Sequence, residues 1–474
     1  MTLTGLIWFM GQTVMARFSG LVSQLFLARL LLPEDFAVLA LAVTATSIIG
    51  VLQDFGVEDM MVQRSRRLAY WGRPALFVGL PVGLLSMTGV VLLAPFAARL
   101  YHSPQVAPML YMMSVGMPLA AVAAIPMAVL RHSMRFGFLA AYNSTELLLV
   151  QVAIILLAYS GFGAYSFAIP GPLAAIVRVV VLWRITKPKF YRLRRGQIKI
   201  MATQGGLLFA SRLTNALVNQ GDYFILGLLA TKAEVGAYYF SFRIAFQPVA
   251  ALAGNFQHIL FPALSKFGHQ PERQRDLALE ASEILSYVVM PLGWMIAMLA
   301  PYLFPLLFGH KWDAAIPLTQ ILSIALAFDA VAWVAGALLT TRGDFRRAFL
   351  TAFLLAPIFF VAVATGALAD SARGAAWGVM VYYVINGPVY YYATFRRLGV
   401  SIGRILSICF APALLSAIAI GIPGVLIPRT GLPSLAAAFV IGALGTGLYL
   451  LILAISARAV FLRIVSRIKS AIFK

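Results

Sequence analysis

The sequence predicts an all-α polytopic membrane protein of about fourteen transmembrane helices, two six-helix lobes followed by a C-terminal helix pair. Three observations carry that expectation. Hydrophobic residues make up 61% of the 474 positions and charged residues only 11%, under half of what a soluble domain carries. Apolar runs long enough to span a hydrocarbon core of ~30 Å recur from end to end. Lys and Arg are confined largely to alternate connections between those runs.

The first lobe is read over residues 1–184, with spans near 4–31, 34–56, 74–100, 105–130, 138–159 and 162–183. A basic linker at 185–200 is the longest hydrophilic break in the chain. The second lobe occupies 201–397, with spans near 201–229, 233–265, 279–308, 313–341, 346–369 and 373–395. Residues 398–474 hold the last pair, near 403–427 and 432–456, and a basic tail. Most connections are short, so neighbouring spans are antiparallel hairpins.

A net charge of +21 would suggest nucleic acid as a partner for a soluble protein. Its distribution removes that reading. On one side of the membrane the loops hold only Arg99, Lys232, Lys311, Arg373 and Arg429, and Arg17, Arg29, Arg178, Arg212 and Arg243 lie within spans. All other Lys and Arg fall on the opposite side, as insertion requires, so both termini are expected to be cytoplasmic. No nucleic acid partner is expected; membrane lipids are. The lone Cys409 excludes an intrachain disulfide. The first apolar run holds Arg17 near its middle and has no small-residue cleavage pattern, so it reads as a mature helix.

The lobes echo one another. Leu31–Ala37, after the first span, aligns with Ala230–Gly236, after the seventh, at an offset of 199. Six spans per lobe is even, so both lobes insert the same way up, as a parallel repeat. Under that offset Arg17 falls one helical turn from the counterpart of Arg212.

Polar stripes interrupt the apolar spans. Arg212, Asn215, Asn219 and Asp222 recur at helical spacing on the seventh span, and Tyr239, Arg243 and Gln247 do so on the eighth. Ionisable groups at such depth are costly, ~2.5–3.5 kcal/mol for an Arg at the helix centre, and usually face a water-filled cavity or bind something. Asp329 lies mid-span in the tenth, with few polar neighbours in sequence. Glu146 lies in the fifth beside Asn143 and Ser144, close enough to the inner face for partial solvation. Asp54 belongs to the inner interface, and Arg29 and Arg178 lie near span ends, where they can snorkel. Each buried charge also has a structural alternative: Asp222 is able to pair with Arg243 or Arg212, and Asp329 with a distant helix. The tyrosines 223, 238, 239, 382, 383 and 390–392 suit either sugar stacking or an interfacial belt. The five histidines show no metal-ligand spacing, and no phosphate-binding ATPase motif is present.

Three stretches resemble a known family. They are Leu27-Ala28-Arg29-Leu30-Leu31-Leu32-Pro33-Glu34-Asp35-Phe36; Gly221-Asp222-Tyr223-Phe224-Ile225-Leu226-Gly227 with Val235-Gly236-Ala237-Tyr238-Tyr239; and Phe261-Pro262-Ala263-Leu264-Ser265-Lys266. They are similar to signatures of the Wzx-like polysaccharide transporters, a branch of the multidrug/oligosaccharidyl-lipid/polysaccharide (MOP) exporter superfamily. Ala37 departs from the pattern, which usually has Gly there. The resemblance implies a MATE-like fold in the bacterial cytoplasmic membrane and a flippase for an undecaprenyl-diphosphate-linked oligosaccharide in exopolysaccharide or lipopolysaccharide synthesis. It further implies alternating access driven by an ion gradient, H+ or Na+, with no other cofactor, no bound metal and no catalysis, and delivery to polymerase and chain-length machinery. A guanidinium grips phosphate oxygens bidentately and keeps its charge. Arg17, Arg212 and Arg243, with Gln24, Asn215, Asn219 and Tyr239, are therefore expected to line a pyrophosphate cavity, and Asp222, Asp329 and Glu146 are the ion-coupling candidates. Alternatives are a lipid II flippase or drug/cation antiporter of the same superfamily. A polytopic glycosyltransferase or repeat-unit polymerase fits less well, since no large outer loop exists to hold an acceptor.

Overall fold

A computed structural model describes residues 3–51, 68–133, 135–188, 191, 206–427, 433–458 and 460–463. Asp54 and most of the 185–200 linker lie outside the described residues. The first helices are α1 (Leu3–Leu30), α2 (Pro33–Gly50) and α3 (Leu68–Leu100), then α4 (Val106–Ser114) and α5 (Gly116–His132), which together form one span. Next come α6 (Phe136–Tyr159), α7 (Pro170–Thr186), α8 (Gly206–Leu229) and α9 (Lys232–Lys266). The remainder are α10 (Pro271–Phe308), α11 (Ala315–Thr341), α12 (Phe345–Phe395), α13 (Ile402–Ser416) and α14 (Ser434–Ser456). α12 is two arms: Asp370 and Ser371 leave helical geometry between them. α13 runs on through a π-helical turn, Ala417–Gly421, to Leu426.

Among the described residues, ten stretches are long and apolar enough to cross a membrane. α8 and α9 are not among them because their polar stripes lower the mean hydropathy, although each is long enough to cross. α12 is counted once across its kink. α10 starts at Pro271, earlier than the expected 279, because Pro at the first turn and Glu272 beside it suit a helix N-terminus.

The chain folds as two compact units, Met1–Gly236 and Ala237–Lys474. In the first, α1 packs on α6, α3 on α5, α5 on α7 and α8 on α2. The run Phe36–Ala42 of α2 is buried throughout. Its small residues let neighbouring backbones approach, which is how helices associate without a hydrophobic drive between them. Asp35 fixes the turn before it. Its carboxylate accepts the Leu32 N–H at 3.0 Å and, from the α6–α7 connection, the Ala164 N–H at 2.9 Å. Gly163 lies beside that carboxylate with φ +52, a left-handed backbone that favours glycine, and a Cβ there would lie 3.0 Å from the Asp35 Oδ1.

Glu234, 199 residues on from Asp35, repeats the device. It accepts the Thr231 N–H at 2.9 Å and the Thr231 hydroxyl at 2.7 Å, a capping box at the head of α9. Two residues later a Cβ on Gly236 would lie 1.8 Å from the Pro33 carbonyl oxygen. The counterpart Ala37 is fully buried in ordinary helix, so the departure from Gly has not disturbed the backbone.

The second unit is built around α11, buried along almost its whole length between α10 and α12. Phe240, Phe304, Phe308 and Trp312 close one end, with Trp312 stacked 4.0 Å from Phe240. Ser241 donates to the Ala315 carbonyl at 2.8 Å and so fastens α9 to α11.

Candidate functional site

α8 carries the polar stripe, and burial divides it. Asn215 and Asn219, one turn apart, are exposed, Arg212 is half-buried, and Asp222 is 3% exposed. Asp222 accepts its neighbour Tyr223's N–H at 2.9 Å. On another face Gln220 accepts the Thr44 hydroxyl at 3.2 Å, tying α8 to α2. The stripe is thus closed at the Asp222 end and open along its asparagines. On α1, Gln24 is 4% exposed. Arg17 falls in α1, but its side chain lies outside the described residues.

Glu146 and Arg178 are brought together. The Arg178 Nε and Nη2 donate to the two Glu146 oxygens at 2.9 and 2.7 Å, a bidentate pair between α6 and α7. α7 extends to Thr186, so Arg178 lies mid-helix, ~12 Å from either end, and not near an end where it would snorkel. The side chains are 17% and 36% exposed. Exposed Leu173, Ile176, Val177 and Val180 define the apolar face of α7, and Arg178 projects from nearly the opposite face.

In the second unit Arg243 donates to the Tyr239 hydroxyl at 3.2 Å, both half-buried on α9. Asp329 accepts the Trp333 indole N–H at 3.0 Å, and the Trp333 carbonyl accepts from Gln257 at 3.0 Å. A tryptophan one turn away was the polar neighbour that the sequence around Asp329 concealed. Tyr223, Tyr238, Tyr382, Tyr383 and Tyr391 are buried in protein. They serve neither an interfacial belt nor an open sugar-stacking surface; Tyr391, for one, donates to the Val331 carbonyl at 3.0 Å.

One cluster escaped sequence reasoning. Glu283 on α10, with a side chain 7% exposed, pairs with Arg404 of α13 and, at 3.1 Å, with Arg463 beyond α14. In the sequence both arginines belong to the basic connections on the expected cytoplasmic side, where membrane insertion alone accounts for them. The signal in the sequence is Glu283, one turn inside Glu280 at the polar start of an otherwise apolar span. Among the described residues no three His, Cys, Asp or Glu are placed to hold a metal.

A family model described as a polysaccharide biosynthesis protein matches residues 26–317. The chain belongs to this family. Within the polysaccharide biosynthesis family it is similar to "Succinoglycan biosynthesis transport protein ExoT" of Rhizobium meliloti (strain 1021), 23% identical across 63% of this chain and 61% of that protein. It therefore spans about three-fifths of that relative. It is also similar to "Lipopolysaccharide biosynthesis protein WzxC" of Escherichia coli (strain K12), 22% identical across 88% of this chain and 85% of the relative. Among solved structures it resembles lipid II flippase MurJ in an inward closed conformation, with a TM-score of 0.76, 13% identity, and coverage of 97% and 99%. It also resembles an inward-facing multidrug resistance MATE family transporter of the MOP superfamily, with a TM-score of 0.62, 14% identity, and coverage of 84% and 95%. The chain shares its fold with both.

Proposed function

We propose that this protein moves an oligosaccharide repeat unit, linked to undecaprenyl diphosphate, across the bacterial cytoplasmic membrane by alternating access. Both termini are read as cytoplasmic, and the product is read as exopolysaccharide or lipopolysaccharide. The relatives' names, a transport protein of succinoglycan biosynthesis in one case and a lipopolysaccharide biosynthesis protein in the other, support this substrate class. The observation that carries the reading is the open polar face of α8, where Asn215 and Asn219 lie exposed beside the half-buried Arg212. Apolar cargo needs no such face. A diphosphate with sugars attached needs both charge and neutral hydrogen-bonding groups, and an arginine with two asparagines offers both. Arg17, Gln24, Tyr239 and Arg243 are assigned to the same role, and the work is transport without catalysis.

Energy is read as coming from an H+ or Na+ gradient. Among Asp222, Asp329 and Glu146, Asp329 is the preferred coupling carboxylate. The partner it shows is a neutral indole, whereas Glu146 already holds a guanidinium. The test is a deletion strain. Lipid-linked repeat units should accumulate on the inner leaflet and clear when the wild-type gene is restored; normal delivery to the outer leaflet without the gene would sink the proposal.

A further inference from the structure

The Glu283 cluster adjoins a groove that the proposed transport does not use. About 500 Å³ of space lies between α10, α11, the second arm of α12 and α13, with a wall that is apolar and includes Trp294, Phe328, Val384, Leu406, Phe410 and Leu414. Leu406, Phe410 and Leu414 follow one another at successive turns of α13 and are 42%, 37% and 63% exposed, so the groove opens outward along that helix. From Leu406 to Ala417 it runs ~16 Å, against ~15 Å for half of a bilayer's hydrocarbon core. That is one leaflet's depth, the reach of an acyl chain and much less than that of a long polyprenyl chain.

The ends of the groove differ. Glu283 lies three turns before Trp294 on the same face of α10, and Arg404 lies within a turn of Leu406 on α13. Arg404 pairs with Glu283, yet half of its side chain, 51%, stays exposed. A guanidinium carries five donors, and one carboxylate contact does not engage them all. Arg396 and Arg397 lie at the same end of the chain's last hairpin and add to its positive field. An apolar channel one leaflet long with a guanidinium at its mouth is complementary to an amphiphile with an anionic head.

We propose that the second unit holds one anionic phospholipid, its phosphate on Arg404 and one acyl chain in the groove. The lipid bridges α10, α12 and α13, and so helps to hold the C-terminal helix pair to the unit. Native mass spectrometry of the purified full chain tests this, with phosphatidylglycerol and phosphatidylethanolamine of the same chain length titrated as probes. Wild type should retain phosphatidylglycerol in preference. Arg404→Gln should lower that retention roughly tenfold, the effect of one charge-assisted contact, and lower that of phosphatidylethanolamine less, because its ammonium already offsets its phosphate, so that the preference between the two narrows. Ala411→Phe, which fills the groove without touching the ion cluster, should lower retention of both lipids. If Arg404→Gln does not purify as folded protein, Ala411→Phe and the milder Ala411→Leu decide the matter alone. Unchanged phosphatidylglycerol retention in the groove-filling variants overturns the proposal. So does equimolar undecaprenyl phosphate displacing phosphatidylglycerol, which would assign the groove to a polyprenyl lipid.

Discussion

The Glu146–Arg178 pair allows a structural charge to be distinguished from a working one. Removing one partner of a buried pair costs ~3–5 kcal/mol, because the other is left uncompensated, while exposed pairs contribute ~0–1 kcal/mol. With side chains 17% and 36% exposed, this pair lies between those limits, and a loss of about 2 kcal/mol is expected for either single substitution. The two losses should differ. A carboxylate left alone is able to shed its charge by binding a proton, whereas a guanidinium keeps its charge at any working pH. Glu146→Gln is therefore expected to cost more than Arg178→Met. Replacing both by Leu should restore most of the loss, since apolar replacement of a whole buried pair is often neutral. Denaturant unfolding of the purified chain in detergent, followed by tryptophan fluorescence, on the two single variants and on Glu146→Gln combined with Arg178→Met closes the double-mutant cycle. A coupling below ~0.5 kcal/mol would refute the pairing, because that is the level at which independent sites add. The same variants should be assayed for export. If the pair is only a staple between α6 and α7, the double Leu variant exports normally; if it is stable but inactive, Glu146 or Arg178 takes part in coupling or binding.

Further outcomes follow from the same geometry. Arg212→Ala, and Asn215→Leu combined with Asn219→Leu, should abolish delivery of repeat units at normal protein levels in the membrane, and wild-type delivery in both would remove the α8 face from the site. Asp329→Asn should leave thermal stability near wild type, because an amide oxygen still accepts the Trp333 N–H, yet should uncouple export from the ion gradient in vesicles. Gly236→Val must displace the Pro33 carbonyl and should cost ~1–3 kcal/mol or more as overpacking, read as a lowered unfolding midpoint. Asp35→Ala loses both backbone acceptor contacts and should cost ~1–2 kcal/mol by the same measurement, with Asp35→Asn intermediate.

The spans were legible because each membrane helix must satisfy its own backbone inside one apolar run, so run length alone marks it. α12 shows where that reading stops: the expected break near 370 is present, but as two non-helical residues within one continuous helical run and without a loop. Polar stripes were legible as periodicity, while their partners were not, since partners come from other helices. Neighbours along the chain concealed that Arg178 meets Glu146 across 32 residues, or that Arg463 reaches Glu283 across 180. Burial splits the α8 stripe between Asn219 and Asp222, and spacing could not have revealed that.

The first hairpin of each expected lobe carries an acid at the same place in its turn, Asp35 in one and Glu234 in the other, and the chemistry of the two differs in a way that the offset alone does not show. Glu234 is satisfied within its own turn by Thr231, whereas Asp35 divides its oxygens between its own turn and the α6–α7 connection. The shorter side chain fits the second arrangement because the turn at Gly163 brings the Ala164 N–H to it, and a carboxylate one methylene longer would crowd the backbone at Gly163, where even a Cβ would lie 3.0 Å from the Asp35 Oδ1. Asp35→Glu should therefore be worse tolerated than Glu234→Asp, although both keep the charge and the cap. Equal stability of the two variants would mean that the α6–α7 contact contributes nothing and that the turn alone selects the acid.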